Sequence, residues 1–193
     1  ITVANLLIGM GAGLSIPFLN LYFKDRFGLP PDLIGYFFFA VSCSMFLGTL
    51  SGPVWTRRIG LVRTVVISQL ISIPFMLVLS YGYLLPLVVV AFVLRGGLMN
   101  LGIPLTNNMA MELSDKGEQG LVNALMMISW TGSWMISTAV GGSLIEDYGF
   151  TLTINTTIVL YIVSSLVFFW LFRRVERRRD DGGGWYIPED ARA

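Results

Sequence analysis

Residues 84–111 (LLPLVVVAFVLRGGLMNLGIPLTNNMAM) form an apolar run longer than the ~20 residues a helix needs to cross a bilayer, yet they carry Arg95 near their middle. An arginine at that depth costs about 2.5–3.5 kcal/mol on insertion scales, so it must face protein or a watery cavity instead of lipid. The same run holds Gly96, Gly97, Asn100, Gly102, Pro104, Asn107 and Asn108. These residues loosen a helix or seek hydrogen bonds, and a lipid-facing surface needs neither. This segment is therefore expected to line a pathway.

Further apolar runs cover 2–23, 33–55, 62–81, 121–145 and 150–172, which predicts six membrane-spanning helices in all. None alternates with period two, and all are too long for barrel strands, so an all-α membrane protein is expected. The chain is 54% hydrophobic and only 13% charged, against about 25% charged in an average soluble domain. It contains no histidine, which removes His-based triads, His metal sites and imidazole proton relays. Its one cysteine, Cys43, lies in an apolar run and is expected to be a small core residue. The chain begins with Ile1 and enters an apolar run without a basic leader, so it is read as a fragment whose N-terminal part is missing.

Loop charges predict an orientation. Arg57, Arg58, Arg63, Lys116, Arg173, Arg174, Arg177, Arg178 and Arg179 share one side, and Lys24 and Arg26 the other. The positive-inside rule then places both ends of the chain in the cytoplasm, with the helices in the cell (plasma) membrane. Residues 1–174 are read as the transmembrane unit and 175–193 as a flexible cytoplasmic tail. The terminal arginines fit either a stop-transfer role or contact with lipid headgroups.

Small residues predict the packing. Glycines fall inside the first, second, fourth and fifth spans, and Ser129, Ser133, Ser137 and Gly141 form a stripe at every fourth residue. Close backbone approach needs such residues, so the first two helices of each triplet are expected at the centre and the third outside, against lipid. Ile16-Pro17-Phe18-Leu19-Asn20 in the first span matches Ile103-Pro104-Leu105-Thr106-Asn107 in the fourth. The two spans run in opposite directions, so the match has the sense of a 3+3 inverted repeat; chance is the alternative, because Ile73-Pro74 also occurs.

Three stretches together resemble the major facilitator superfamily: GAGLSIPFLNLYFKDRFGL (11–29), Gly48-x-x-x-Gly52 running into Thr56-Arg57-Arg58-Ile59-Gly60-Leu61-Val62-Arg63, and Gly141-Gly142-x-x-x-Glu146-Asp147-Tyr148-Gly149. The superfamily's loop motif Gly-x-x-x-Asp-Arg-x-Gly-Arg-Arg/Lys is degraded here: its Asp is replaced by Thr56 or Arg57, and Gly52 and Gly60 stand one residue too far apart. That form resembles the copy in the carboxyl-terminal half of such a permease, with an amino-terminal half as the alternative. The resemblance implies a secondary transporter of twelve helices in two six-helix halves. The first and fourth helices of each half line a central cavity and the third and sixth face lipid. It also implies a small-molecule substrate, a companion N-terminal half, contact with membrane lipids, proton or ion coupling, no cofactor and no nucleic acid. The other reading is a self-contained six-helix membrane protein, an enzyme or assembly factor with no transport role. Against an enzyme stands the lack of any paired intramembrane acid and nucleophile.

Candidate site residues follow. Arg95 is expected to meet an anionic substrate group or a carboxylate of the companion half, because all 12 acidic residues lie in loops, at span ends or in the tail. The bland alternative has it solvated by carbonyls and cavity water, or reaching an interface. At about 100° per residue, Asn100 and Asn107 share a face while Arg95 points about 120–140° away, so both faces border a wide cavity or one packs on a neighbour. Asn5, Gly9, Gly13, Ile16 and Asn20 share a face of the first span, with Asn20 the better candidate. Asn123, Met127, Trp130 and Trp134 share another on the fifth, where Trp130 offers an apolar wall or simple packing. Gly52, Arg57, Arg58, Gly60 and Arg63 fit a cytoplasmic latch, or plain topology signals. No carboxylate lies at mid-depth, so proton coupling is expected in the missing part.

Overall fold

The computed structural model describes residues 2–112, 114 and 117–182, with side chains at 6–111, 114 and 117–172. Every regular element among them is helical. Helix α1 (Thr2–Ser15) passes through one 3-10 turn, Ile16–Phe18, into α2 (Leu19–Phe27). Then come α3 (Pro31–Ile59), α4 (Leu61–Tyr81), α5 (Leu85–Glu112) and α6 (Gln119–Gly182). Pro17 explains the break after Ser15, since it has no N–H to donate to the preceding turn. At Gly60 (φ 88°) α3 hands over to α4: its N–H donates to Thr56 O at 3.0 Å and its carbonyl accepts from Thr64 N at 3.1 Å. The expected tail from 175 onward begins inside α6, and residues 183–193 lie outside the described residues, as does Lys116; the side chains of Asn5 and Arg173–Arg179 do too.

Five helical stretches, one fewer than the six spans expected, are long and apolar enough to cross a membrane. The difference lies in Gln119–Phe172, a 54-residue stretch within α6 that is interrupted at Gly149 (φ 78°, ψ 175°). Contacts show what that interruption does. A Cβ on Gly9 or Gly13 would strike Ser133 or Ser137, before the break, whereas Gly11 between them faces Tyr161, after it. One turn of α1 thus touches both arms of α6, so the chain doubles back at Gly149.

The small-residue stripes are where backbones meet. Ser133, Ser137 and Gly141 seat on Gly9, Gly13 and Leu14 of α1, and Gly48 of α3 abuts the carbonyl of Gly97 on α5. Gly52 sits against Leu101 and Leu105 one turn further along. So α1 packs on α6, α5 packs on α3 and α4, and the two groups are joined by α4 against α6. Gln69 Oε1 accepts from Ser165 Oγ at 2.7 Å in that seam, and Ser80 Oγ lies 3.2 Å from Asn155 Oδ1.

Two packing expectations need correction. The third span, α4, is half buried, while only 11% of the second, α3, is covered. Glycine marks one line of close contact and not total burial, and α4 carries polar residues, Ser68, Gln69, Ser72 and Ser80, that need partners and so turn inward. Cys43 is exposed instead of buried, because it falls on the uncovered face of α3. The two Ile-Pro motifs also differ in form: Ile16–Phe18 is a 3-10 turn, whereas Pro104 lies within the uninterrupted α5.

Candidate functional site

Near one end of the bundle, the end that carries Lys24, Arg26 and Tyr83, all the helices converge on an aromatic cluster. Phe23 of α2 meets Phe92 of α5 at 5.3 Å between ring centroids and Phe37 of α3 at 5.4 Å. Phe38 meets Phe92 at 5.3 Å, and Tyr22 meets Phe150 of α6 at 5.4 Å. The Tyr22 hydroxyl donates to Leu79 O at 2.6 Å, and Arg26 Nη1 donates to Ser80 O at 3.0 Å while lying over Tyr83. Toward the opposite end, where Arg57, Arg58 and Arg63 lie, the second core cluster draws only on α4, α5 and α6. Between the helices, from Phe38 and Phe92 of the aromatic cluster to Asn107 and Asn123 beyond it, lies a cavity of about 840 Å³.

The cavity's walls come from every long helix. Ile8, Ala12 and Ile16 line it from the first span, Phe38, Val41 and Met45 from α3, and Gln69 from α4. The α5 wall runs from Phe92 through Arg95, Met99, Asn100 and Thr106 to Asn107. The α6 wall has Asn123, Met126, Met127, Trp130 and Trp134 before the break and Tyr161 after it.

Arg95 is 4% exposed. Its Nη2 donates to the Tyr161 hydroxyl at 2.9 Å, and its guanidinium carbon lies 5.8 Å from the centroid of that ring. A ring nitrogen or carboxylate is not what holds it: no Asp or Glu lines the cavity among the described residues. Tyr161 is itself wedged, since a Cβ on Gly11 would come 2.8 Å from its ring. A charge so withdrawn from water responds strongly to an anion; at an effective dielectric of ~20, an opposite charge ~4 Å away is worth about 4 kcal/mol before desolvation is subtracted.

The sequence candidates separate. Arg95, Asn100, Asn107 and Trp130 are brought to one cavity, which is wide enough to take both faces of α5. Asn100 is also tied down: its amide donates to Thr49 Oγ1 at 2.9 Å and to Met45 O at 3.3 Å, both on α3. Trp130 and Trp134 lie 5.8 Å apart as a tilted pair along the wall. Asn20 is exposed and does not line the cavity; its Oδ1 accepts from Leu21 N at 2.8 Å. Gly52 is buried between α3 and α5, Gly60 forms the α3–α4 turn, and Arg57, Arg58 and Arg63 are exposed on either side of that turn and do not line the cavity.

Tyr161 is the residue that sequence reasoning missed. Glycine distribution sends the sixth span to lipid as a whole, although Thr153, Thr157, Tyr161, Ser165 and Phe168 recur every three or four residues and make one buried stripe. That spacing was the available signal.

A comparison with curated proteins gives no match. The profile of the Major Facilitator Superfamily matches residues 1–185. With an all-helical bundle, apolar helices of membrane-crossing length and that match over nearly the whole sequence, this chain belongs to the Major Facilitator Superfamily and is a multi-pass membrane transporter.

Proposed function

We propose that the chain is the carboxyl-terminal six-helix half of a secondary active permease that moves a small solute by alternating access. The observation that carries this reading is the cavity itself, bordered by the first and fourth spans among others, walled by aromatics at one end and lined by the buried guanidinium of Arg95. A straight helix of 54 residues would be about 80 Å long, more than twice the ~30 Å hydrocarbon core, so the two arms of α6 count as two crossings and complete a 3+3 arrangement. The repeat is then an exchange: the first span packs with the fifth and sixth, and the fourth packs with the second and third.

The uncovered apolar face of α3, with Tyr36, Phe39, Phe46 and Leu47 exposed, suits a companion half or lipid. In this reading the basic residues at the α3–α4 turn favour the cytoplasmic side for that end of the bundle, and the cavity wall runs toward it through Asn107 and Asn123, so the cavity opens inward. In this reading Arg57, Arg58 and Arg63 serve the cytoplasmic latch, and any coupling carboxylate sits on the companion half.

The test uses the complete protein in proteoliposomes. With Cys43 replaced by Ser, a cysteine at Asn107 on the cavity wall, carrying a bulky methanethiosulfonate adduct, should block the pathway. Counterflow of a labelled solute that the wild type carries should then stop, and return when the adduct is reduced. Unimpeded counterflow through the fully modified protein would overturn transport through this cavity.

A further inference from the structure

We propose that the cavity takes an amphipathic organic monoanion, with its acid group on Arg95, its apolar body along Trp130 and Trp134, and Tyr161 as the positioning residue for the guanidinium. The inference rests on the permease reading and names the substrate class of that same site.

Charge comes first. Arg95 is the one charged side chain that lines the cavity among the described residues. A buried guanidinium has five donors in a rigid fork, and the structure shows one of its nitrogens, Nη2, donating to Tyr161. Tyr161 is the hydrogen-bond acceptor the structure gives Arg95 among the described residues, and the side chain lines the cavity, so its remaining donors are available to an anion there. An anion is the group that fills such a fork, and one cation matches one negative charge.

The neutral polar residues argue against a sugar-like solute. The Asn100 amide nitrogen is committed to Thr49 and Met45, and the Gln69 carbonyl accepts from Ser165, so these groups are engaged within the protein. Asn107, Asn123 and Thr131 also line the cavity, but most of its wall is apolar, the Trp130–Trp134 pair, Phe92 and Met99 included. A polyhydroxylated ligand would leave its hydroxyls unpaired there, whereas a hydrocarbon or aromatic body would be covered.

Tyr161 supplies the orientation. Its hydroxyl accepts from Nη2, its ring lies beside the same guanidinium, and Gly11 leaves the room the ring occupies. Tyr161 fixes where the fork points without itself having to touch the anion.

The experiment measures binding by calorimetry to the complete purified protein, with three matched probes: 4-phenylbutanoate, its amide, and 4-phenylbutylamine. The carboxylate should bind at least ~10-fold more tightly than the other two. Arg95→Gln should remove that preference, with a loss of about 30-fold or more for the carboxylate, and Arg95→Lys should restore part of it, because the charge returns without the fork. Tyr161→Phe should weaken the carboxylate about 3- to 10-fold and leave the amide unchanged, whereas a merely structural defect would weaken both. If Arg95→Gln does not yield monodisperse protein, the Lys and Phe variants decide. Equal binding of the three probes, binding of none, or an unchanged preference in folded Arg95→Gln overturns the proposal. Counterflow in proteoliposomes separates the two readings: transport of amine or amide without carboxylate preference overturns the anion assignment alone, and carboxylate binding without counterflow upholds the anion site and overturns the permease reading.

Discussion

Gly48 and Gly132 are both helical glycines in apolar runs, and only their surroundings tell them apart. A side chain on Gly48 would fall on the carbonyl of Gly97, which is backbone and cannot swing away, whereas nothing lies within 4 Å of a Cβ on Gly132. Gly48→Val is therefore expected to destabilise the protein by about 1–3 kcal/mol, through overpacking that forces α3 off α5. Gly132→Ala should be neutral or stabilising by up to ~1 kcal/mol, since it removes only backbone freedom. Thermal unfolding of the two variants in the same detergent checks the contrast; equal melting temperatures would mean that α3 does not sit against Gly97. Arg95 shows the same dependence on neighbours. Its depth and its need for shelter were legible in the sequence, but Tyr161, 66 residues away on another helix, was not.

At the scale of an element, α6 turns on one residue. Gly149 has φ 78° and ψ 175°, a region that a side chain can hardly enter, so Gly149→Ala should cost about 1–3 kcal/mol. Hydropathy finds the apolar arms on either side of this glycine, but the reversal itself is a dihedral event that hydropathy does not record. The α4–α6 seam makes a second prediction. Ser165→Ala leaves the buried Gln69 carbonyl without its 2.7 Å donor, at a cost of about 1 kcal/mol. Gln69→Leu combined with Ser165→Ala should cost less than the two singles summed, because the pair is lost only once. Strict additivity in denaturation would show that the two side chains do not interact.

Over the whole molecule, two clusters of unequal reach set the shape. The aromatic end draws buried residues from every helix, while the far cluster is built from α4, α5 and α6, with α3 touching it only through Gly52. That asymmetry predicts a pattern of solvent access. With Cys43 replaced by Ser, cysteines at Asn107 or Thr131 on the cavity wall should react readily with a charged methanethiosulfonate. A cysteine at Thr157, which is 0% exposed between α1 and α6, should resist. Protection of the first two, or modification of the third, would contradict the placement of the cavity.

Taken alone, the sequence determined the material of this protein: helices of membrane length, an arginine that lipid could not tolerate, and small-residue stripes that had to meet another backbone. Transfer from water to hydrocarbon is close to a sum over single residues, so a run of letters suffices to read it. Only the tertiary structure decided which stripe meets which helix, that Asn20 stays outside the cavity while Asn107 lines it, that α4 is covered and Cys43 is not, and that Tyr161 holds Arg95. Those outcomes depend on packing between helices far apart in the chain, where a rotation of one helix exchanges one set of neighbours for another, and no local pattern of residues carries that angle.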